Sequence, residues 1–177
     1  ARYVAANINQ LNFPFKRYQI QKAWRGERPQ DGRFREFLQC DIDVVDTRPI
    51  PLHFDAEIPI IMHEAIESIG AGPLTTKVNN RKILEGFYSG LSISDTSNTI
   101  RIIDKLDKIG TDGVATMLSK DLKLTPPIID MVLNLAEIKG AGHSVIDQIR
   151  DLNVKSSLLE EGINELEFVI QQLEKYK

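Results

Sequence analysis

The sequence predicts an α+β chain: a short antiparallel sheet with flanking helices over residues 1–91, then a small all-α subdomain over 92–177. Three observations predict it. Two stretches with period-two patterning flank the dipeptide Asp31-Gly32. Apolar residues at helical spacing lie on either side of that pair. From Ser92 onward the strand pattern nearly vanishes, and helix starts and stops take its place.

Taken in order, "ARYVAANINQ" reads as the body of a helix. In "KRYQIQKAW" (16–24), Tyr18, Ile20 and Trp24 share one face, and Arg17, Gln19, Gln21 and Arg25 the other. In "FREFLQCDIDVV" (34–45), Phe34, Leu38, Cys40, Ile42 and Val44 alternate with Arg33, Arg35, Phe37, Gln39, Asp41 and Asp43. This patterning predicts two strands, apolar inward and polar outward. Asp31-Gly32 is a strong hairpin signal. Glu27, Arg28 and Pro29 break the alternation, so 26–33 is expected to be a mobile loop, and the register stays open. "HFDAEIPIIMHEAIESIGAG" (53–72) predicts a helix with Pro59 in its first turn, ended by Gly70 and Gly72. "TTKVNN" is expected as a further short strand. Asn79 and Asn80 are candidate caps for a short helix over "RKILEGFYSGL".

The second half predicts a helix over "SNTIRIIDKLDKIG" closed by Gly110, and a weaker one over "TDGVATMLSKDLKL". A third opens at Thr125 with two prolines behind it and stops near Gly140. The last, roughly 156–176, has Ser157 and Glu160 as a capping box. Its seam of Leu159, Ile163, Leu166, Ile170 and Leu173 suits ordinary packing, with a dimer zipper as the sharper alternative. The helical character of both ends suggests a piece of a longer protein.

The 177 residues are 42% hydrophobic and 27% charged, enough to bury a core. No apolar run reaches the roughly 20 residues of a membrane span. The single Cys40 excludes an internal disulfide and points to a reduced, cytoplasmic setting. His53, His63 and His143 are not at metal-ligand spacing. A net charge of −3 excludes a generally basic nucleic-acid glove. The charge is uneven: residues 91–177 carry 10 basic and 14 acidic side chains, whereas 16–36 carry 7 basic and 3 acidic ones.

That basic concentration defines the candidate site. Alternation places Arg33, Phe37, Gln39, Asp41 and Asp43 on one face, with Arg25 within reach if the register allows. Guanidinium forks suit phosphate oxygens, and an exposed aromatic can stack on a base. Gln39 and Asp43 suit a polar or cationic group. Such a face fits a nucleotide joined to something bearing an amine. A solvated face, with Glu27, Asp31 and Glu36 pairing the arginines, explains the same pattern. Asp41 and Asp43 also have the spacing of paired acids or metal ligands, though a solvated strand face is the plainer reading. His63 beside Glu64 and Glu67 reads as a surface histidine.

Arg25-Gly26-Glu27-Arg28-Pro29-Gln30, then Gly32-Arg33-Phe34-Arg35-Glu36-Phe37 and Gln39, resemble the second signature motif of the class II aminoacyl-tRNA synthetases, and within them the histidyl-tRNA synthetases. "FPFKRYQI", "DAEIPIIMHEAI" and "VNNRKILEGFY", followed by a helical insertion, extend the resemblance over essentially the whole chain. It implies a partial antiparallel sheet of the class II catalytic core over 1–91 and a helical insertion domain over 92–177. It implies a ligase that activates L-histidine with ATP and Mg²⁺ and transfers it to tRNA(His), in the cytoplasm, as a homodimer and with no membrane association.

The resemblance also implies roles. Arg25 would be the catalytic residue, contacting the ATP α-phosphate and the histidine carboxylate. Glu27 would contact the adenine amino group, Arg33 the outer phosphates, and Phe37 the adenine face. Gln39 and Asp43 would hold the histidine α-amino group, with Asp43 standing where the family often has Glu. No metal ligand is implied on the chain. The first and third motifs, the Arg-Gly-Leu-Asp-Tyr-Tyr segment and the anticodon-binding domain are absent, so the isolated chain is expected not to charge tRNA. Any RNA contact of the insertion is expected to use a local basic patch, for instance Lys120, Lys123 and Lys139. Two rivals are a regulatory paralogue serving ATP phosphoribosyltransferase and a module that only grips RNA. Retention of Arg25, Glu27, Arg33 and the insertion argues against the first.

Overall fold

The computed structural model describes residues 1–176. It bears out the α+β class: among the described residues there is one two-stranded antiparallel sheet, and the other regular elements are helices. Its contacts divide the chain into two units, Ala1–Ile61 and the residues from Met62 onward.

In the first unit, α1 (Arg2–Asn7) and a 3₁₀ turn lead into β1 (Phe15–Trp24), which pairs with β2 (Glu36–Val45). The register runs without interruption from Phe15↔Val45 to Trp24↔Glu36. Past it, the Arg25 N–H donates to the Arg35 carbonyl at 2.9 Å. Pairing resumes at the tip, where Gln30 and Arg33 exchange backbone hydrogen bonds of 2.8 and 3.2 Å around Asp31-Gly32. Gly32 takes a φ of +73° there, which a Cβ would oppose. Between the two pairings lie residues 26–29 on one arm and only Phe34 on the other. The first arm therefore bulges, and the bulge carries Glu27 and Arg28.

The expectation of an apolar inward face needs correction. Tyr18, Ile20, Trp24 and Leu38 do share a face, but they are 80%, 66%, 69% and 71% exposed. The opposite face, with Arg17, Gln19, Phe37, Gln39, Asp41 and Asp43, is half-buried. Alternation sorts residues into faces. It does not supply the layer that would cover one of them.

Helix α2 spans His53–Ser68, so Pro59 sits inside it rather than in its first turn. The "TTKVNN" stretch forms no strand, and it has no partner strand among the described residues.

From Met62 onward the chain is helical: α3 (Arg81–Gly90), α4 (Thr96–Ile103), α5 (Leu106–Leu122), α6 (Pro126–Glu137), α7 (Ser144–Asp151) and α8 (Ser157–Tyr176). Asn80 caps α3 by accepting from the Lys82 N–H at 2.9 Å, and Asp95 caps α4 through the Asn98 N–H at 3.0 Å. The helix expected over 97–110 is broken at Asp104, and Gly110, at a φ of +70° and outside helical geometry, divides α5 into two helical stretches, closing the first where the sequence indicates. Pro126 and Pro127 open α6 as the sequence indicates, and Thr125 contributes its carbonyl rather than its side chain. Helix α7 was not anticipated. At the start of α8 the serine nearest a cap position is Ser156, whose hydroxyl lies 3.5 Å from the Leu159 N–H, not Ser157.

One core joins these helices: Ile83, Phe87 and Tyr88 of α3, Val114 and Leu118 of α5, Val132 of α6, Ile146 of α7, and Leu159 and Ile163 of α8. The seam of α8 is thus used within the chain, as the packing reading requires. Two glycines set how closely α3 and α8 approach. A Cβ on Gly86 would lie 2.3 Å from the Leu159 nitrogen, and one on Gly162 would lie 2.7 Å from the Ile83 nitrogen. Beside this contact, Lys82 bridges Glu161 and Glu165, and Asn80 Nδ2 donates to Glu165 at 2.7 Å.

Candidate nucleotide and amino-acid site

The register settles which polar residues meet. It sets Arg17 opposite Asp43, Gln19 opposite Asp41, Gln21 opposite Gln39, and Ala23 opposite Phe37. Because side chains alternate along each strand, all of these share one face. Ala23 is small, which leaves the Phe37 ring open on that side. Arg25 follows in the same alternation and reaches back over it.

The Arg25 guanidinium carbon lies 5.1 Å from the Phe37 ring centroid, a cation–π distance. Its Nη2 donates to Gln39 Oε1 at 3.3 Å. Gln39 Nε2 donates in turn to Asp41 Oδ1 at 2.6 Å. Further along, Arg17 pairs with Asp43 and also donates to Gln19 Oε1. The face is therefore graded. Phe37 and Arg25 stand at the hairpin end, Gln39 and Asp41 in the middle, and the Arg17–Asp43 pair at the base.

The bulge is held over the hairpin end by two arginines. Arg33 Nη1 pairs with Glu27 Oε2 at 3.2 Å, and Arg35 Nε donates to the Glu27 carbonyl at 3.3 Å. Glu27 and Arg33 thus meet each other. The solvated-face reading required acidic neighbours to neutralise the arginines. Glu27 does so for Arg33. Glu36 instead lies on the other face, where hydrogen bonds first from Lys22 and then from Trp24 lower its pKa. Among the described residues, Arg25, Arg28 and Arg35 have no carboxylate within ion-pair distance. Their charge is left for something else.

Arg33, Gln39, Asp43, Phe37, Arg25 and Glu27 are all on this hairpin, as the sequence placed them. Sequence reasoning did not assign Arg17 to the site, because its pairing with Asp43 depends on a register that alternation cannot fix. Nor did it see Asp41 as the partner of Gln39. Among the described residues no group of three or more His, Cys, Asp or Glu side chains is arranged to hold a metal ion. His63 meets Thr76 at 3.4 Å. Of the three lysines expected to form a patch, all exposed, Lys123 and Lys139 lie at opposite ends of α6. A helix of that length separates them by about 18 Å, so the three do not make one compact cluster.

No family model matches the chain. Relatives do. The histidine–tRNA ligase of Thermobifida fusca (strain YX) is 51% identical over 173 residues, covering 98% of this chain and 40% of the relative. That of Clostridium tetani (strain Massachusetts / E88) is 42% identical over 176 residues, covering 99% of this chain and 40% of the relative. The crystal structure of histidyl-tRNA synthetase from Nostoc sp. PCC 7120 aligns with a TM-score of 0.88 at 36% identity, over 98% of this chain and 40% of that one. The chain thus spans about 40% of the length of the curated relatives it matches.

Proposed function

We propose that this chain, which belongs to the histidine–tRNA ligase family along nearly its whole length, supplies through its hairpin the ATP- and histidine-gripping element of such a ligase. The observation that carries the reading is Arg25. Its guanidinium sits between an aromatic ring and an amide, 5.1 Å from Phe37 and 3.3 Å from Gln39, with no carboxylate among the described residues within ion-pair distance.

In this reading the histidine carboxylate oxygen attacks the ATP α-phosphorus, an oxygen–phosphorus bond forms, and pyrophosphate leaves with the bonding pair. Negative charge builds on the α-phosphate oxygens. A guanidinium already fixed beside them stabilises that charge without reorganising. Phe37 offers its face to adenine, Glu27 accepts from the adenine amino group, and Arg33 takes the outer phosphates. Binding would exchange the 3.2 Å Arg33–Glu27 contact for these two ligand contacts. Gln39 and Asp43 hold the α-amino group. Mg²⁺ would arrive on the ATP phosphates, since Asp41 and Asp43 are already engaged by Gln39 and Arg17. A terminal hydroxyl of tRNA(His) then attacks the histidyl carbonyl of the adenylate, the new ester bond forms as the acyl–phosphate bond breaks, and AMP leaves. The helices over 92–177 act as an insertion domain that meets the tRNA, using exposed Lys120 and Lys123. Cytoplasmic location and a homodimeric whole complete the reading; no described helix is long and apolar enough to cross a membrane. Nothing in the comparisons favours the regulatory paralogue.

The test is histidylation of tRNA(His) by a full-length ligase carrying this sequence. Charging with histidine that collapses in Arg33→Ala through a raised KM for ATP supports the reading. A folded full-length protein that binds tRNA(His) but charges it with no amino acid overturns it in favour of an RNA-gripping module.

A further inference from the structure

We propose that Asp41 is a positioning residue that orients the Gln39 side chain, turning its amide oxygen toward the place where the substrate ammonium binds. The inference rests on the reading that Gln39 holds the histidine α-amino group, and it adds a residue that reading does not include.

An amide side chain has a donor end and an acceptor end of nearly equal size, so its direction is set by its neighbours. Gln39 has two. At one end its Nε2 donates to Asp41 Oδ1 at 2.6 Å. At the other its Oε1 accepts from Arg25 Nη2 at 3.3 Å. An ionised carboxylate can only accept, and a guanidinium can only donate. One direction of the amide satisfies both neighbours. Turned over, it would set NH₂ against guanidinium and oxygen against carboxylate, losing both bonds and gaining two repulsions. Asp41 and Arg25 therefore act together as a polarity lock, and the Asp41 bond is the shorter.

The direction matters to the ligand. An ammonium carries three N–H donors and no acceptor, so it needs an oxygen from Gln39. The lock presents that oxygen before the ligand arrives, which removes an ordering cost from binding. Asp43, the other carboxylate on the face, is paired with Arg17. Asp41 has no cation within ion-pair distance among the described residues, so Gln39 is its principal partner. Both Gln39 and Asp41 are half-buried, which makes the bond between them more consequential than a freely solvated one.

Asp41→Asn tests this, since asparagine keeps the shape but offers a donor as well as an acceptor and so releases the lock. The measurement is ATP–pyrophosphate exchange by a full-length ligase carrying this sequence. KM is taken for histidine and for ATP, and the inhibition constant for 3-(imidazol-4-yl)propionate, which lacks the α-amino group. The expected result is a KM for histidine raised about tenfold or more, with KM for ATP and inhibition by the des-amino compound unchanged. In Gln39→Ala the further change at Asp41 should then add little, because the two act as a unit. Asp41→Ser gives a second carboxylate-free variant if the asparagine form does not fold. An unchanged KM for histidine, equal losses for histidine, ATP and the des-amino compound, or full additivity with Gln39→Ala would overturn the proposal. Failure of the underlying site reading looks different: the unsubstituted enzyme would show no histidine-dependent exchange, or Gln39→Ala alone would leave KM for histidine unchanged.

Discussion

Gly86→Ala should destabilise the helical unit, and the structure sets the size of the effect. The new methyl would stand 2.3 Å from the Leu159 nitrogen, 2.7 Å from its Cα and 2.8 Å from the Leu158 carbonyl carbon. These are backbone atoms of the α8 start, so no rotamer change relieves the collision. Ordinary contact is 3.4 Å or more, so α3 and α8 must part by about 1 Å. That loosens Ile83 and Phe87 from Leu159 and Ile163, all of them buried. Overpacking of this kind costs ~1–3 kcal/mol, and a backbone collision belongs at the upper end. Alanine's better helix propensity offsets ~1 kcal/mol. A net loss of about 2 kcal/mol remains, which lowers Tm by roughly 5–10 °C. Thermal unfolding followed by far-UV circular dichroism reads it. Gly26→Ala, with nothing within 4 Å of its new methyl, serves as the control and should stay within roughly 0.5 kcal/mol. A Gly86→Ala chain as stable as the parent, or more so, would refute the reciprocal glycine contact between α3 and α8.

Other consequences follow from buried and paired groups. The Tyr88 hydroxyl is buried with no hydrogen-bond partner among the described residues, and burial, then the charge of Asp104, push its pKa up to about 12 from 10.0. The folded chain keeps this proton where the unfolded chain loses it. Tyr88 therefore contributes stability that is whole below pH 10 and is lost between about pH 10 and 12. Tyr88→Phe should be at least as stable at neutral pH, and its alkaline unfolding limb should be shallower; an unchanged limb would contradict the assignment. Glu165 has its pKa lowered, by hydrogen bonds from Lys82 first and Asn80 second. Its contribution is present above the ordinary carboxylate range and lost as pH falls through the lowered value, so Glu165→Gln should flatten acid unfolding in the same scan. Reversing the charge of Lys120 and Lys123 together should weaken tRNA binding by the full-length ligase and reduce its salt dependence; unchanged affinity would remove these lysines from the interface.

Much of the site was legible in the sequence because it lies on one hairpin. Period two alone put Phe37, Gln39, Asp41 and Asp43 on one face of β2, whereas Arg33 lies beyond that strand, in the isolated pairing with Gln30. The resemblance added roles to those positions. What alternation could not give was the cross-strand register, which depends on how many residues the loop absorbs. Three extra residues in the first arm decide that Arg17 meets Asp43 and that Arg25 reaches Gln39. The covering of the sheet was also out of reach, since Tyr18, Ile20, Trp24 and Leu38 look like core residues whether or not anything lies over them. In the helical half, glycine and proline marked breaks well, as at Gly110 and Pro126. Helix α7 escaped because its eight residues are too few to establish a period. The "TTKVNN" stretch had the composition of a strand but no neighbour to pair with.

In the proposed site Arg25 grips the phosphate on which charge develops. Histidine-dependent ATP–pyrophosphate exchange by a full-length ligase carrying this sequence tests it, with Arg25→Ala beside it and other amino acids as controls. The expected result is exchange with histidine alone, and a fall of about 100-fold or more in Arg25→Ala, the size expected when a fixed charge is removed from an activation site. Exchange that survives Arg25→Ala would place the phosphate grip elsewhere, and exchange with no amino acid from a folded protein would contradict the ligase reading itself.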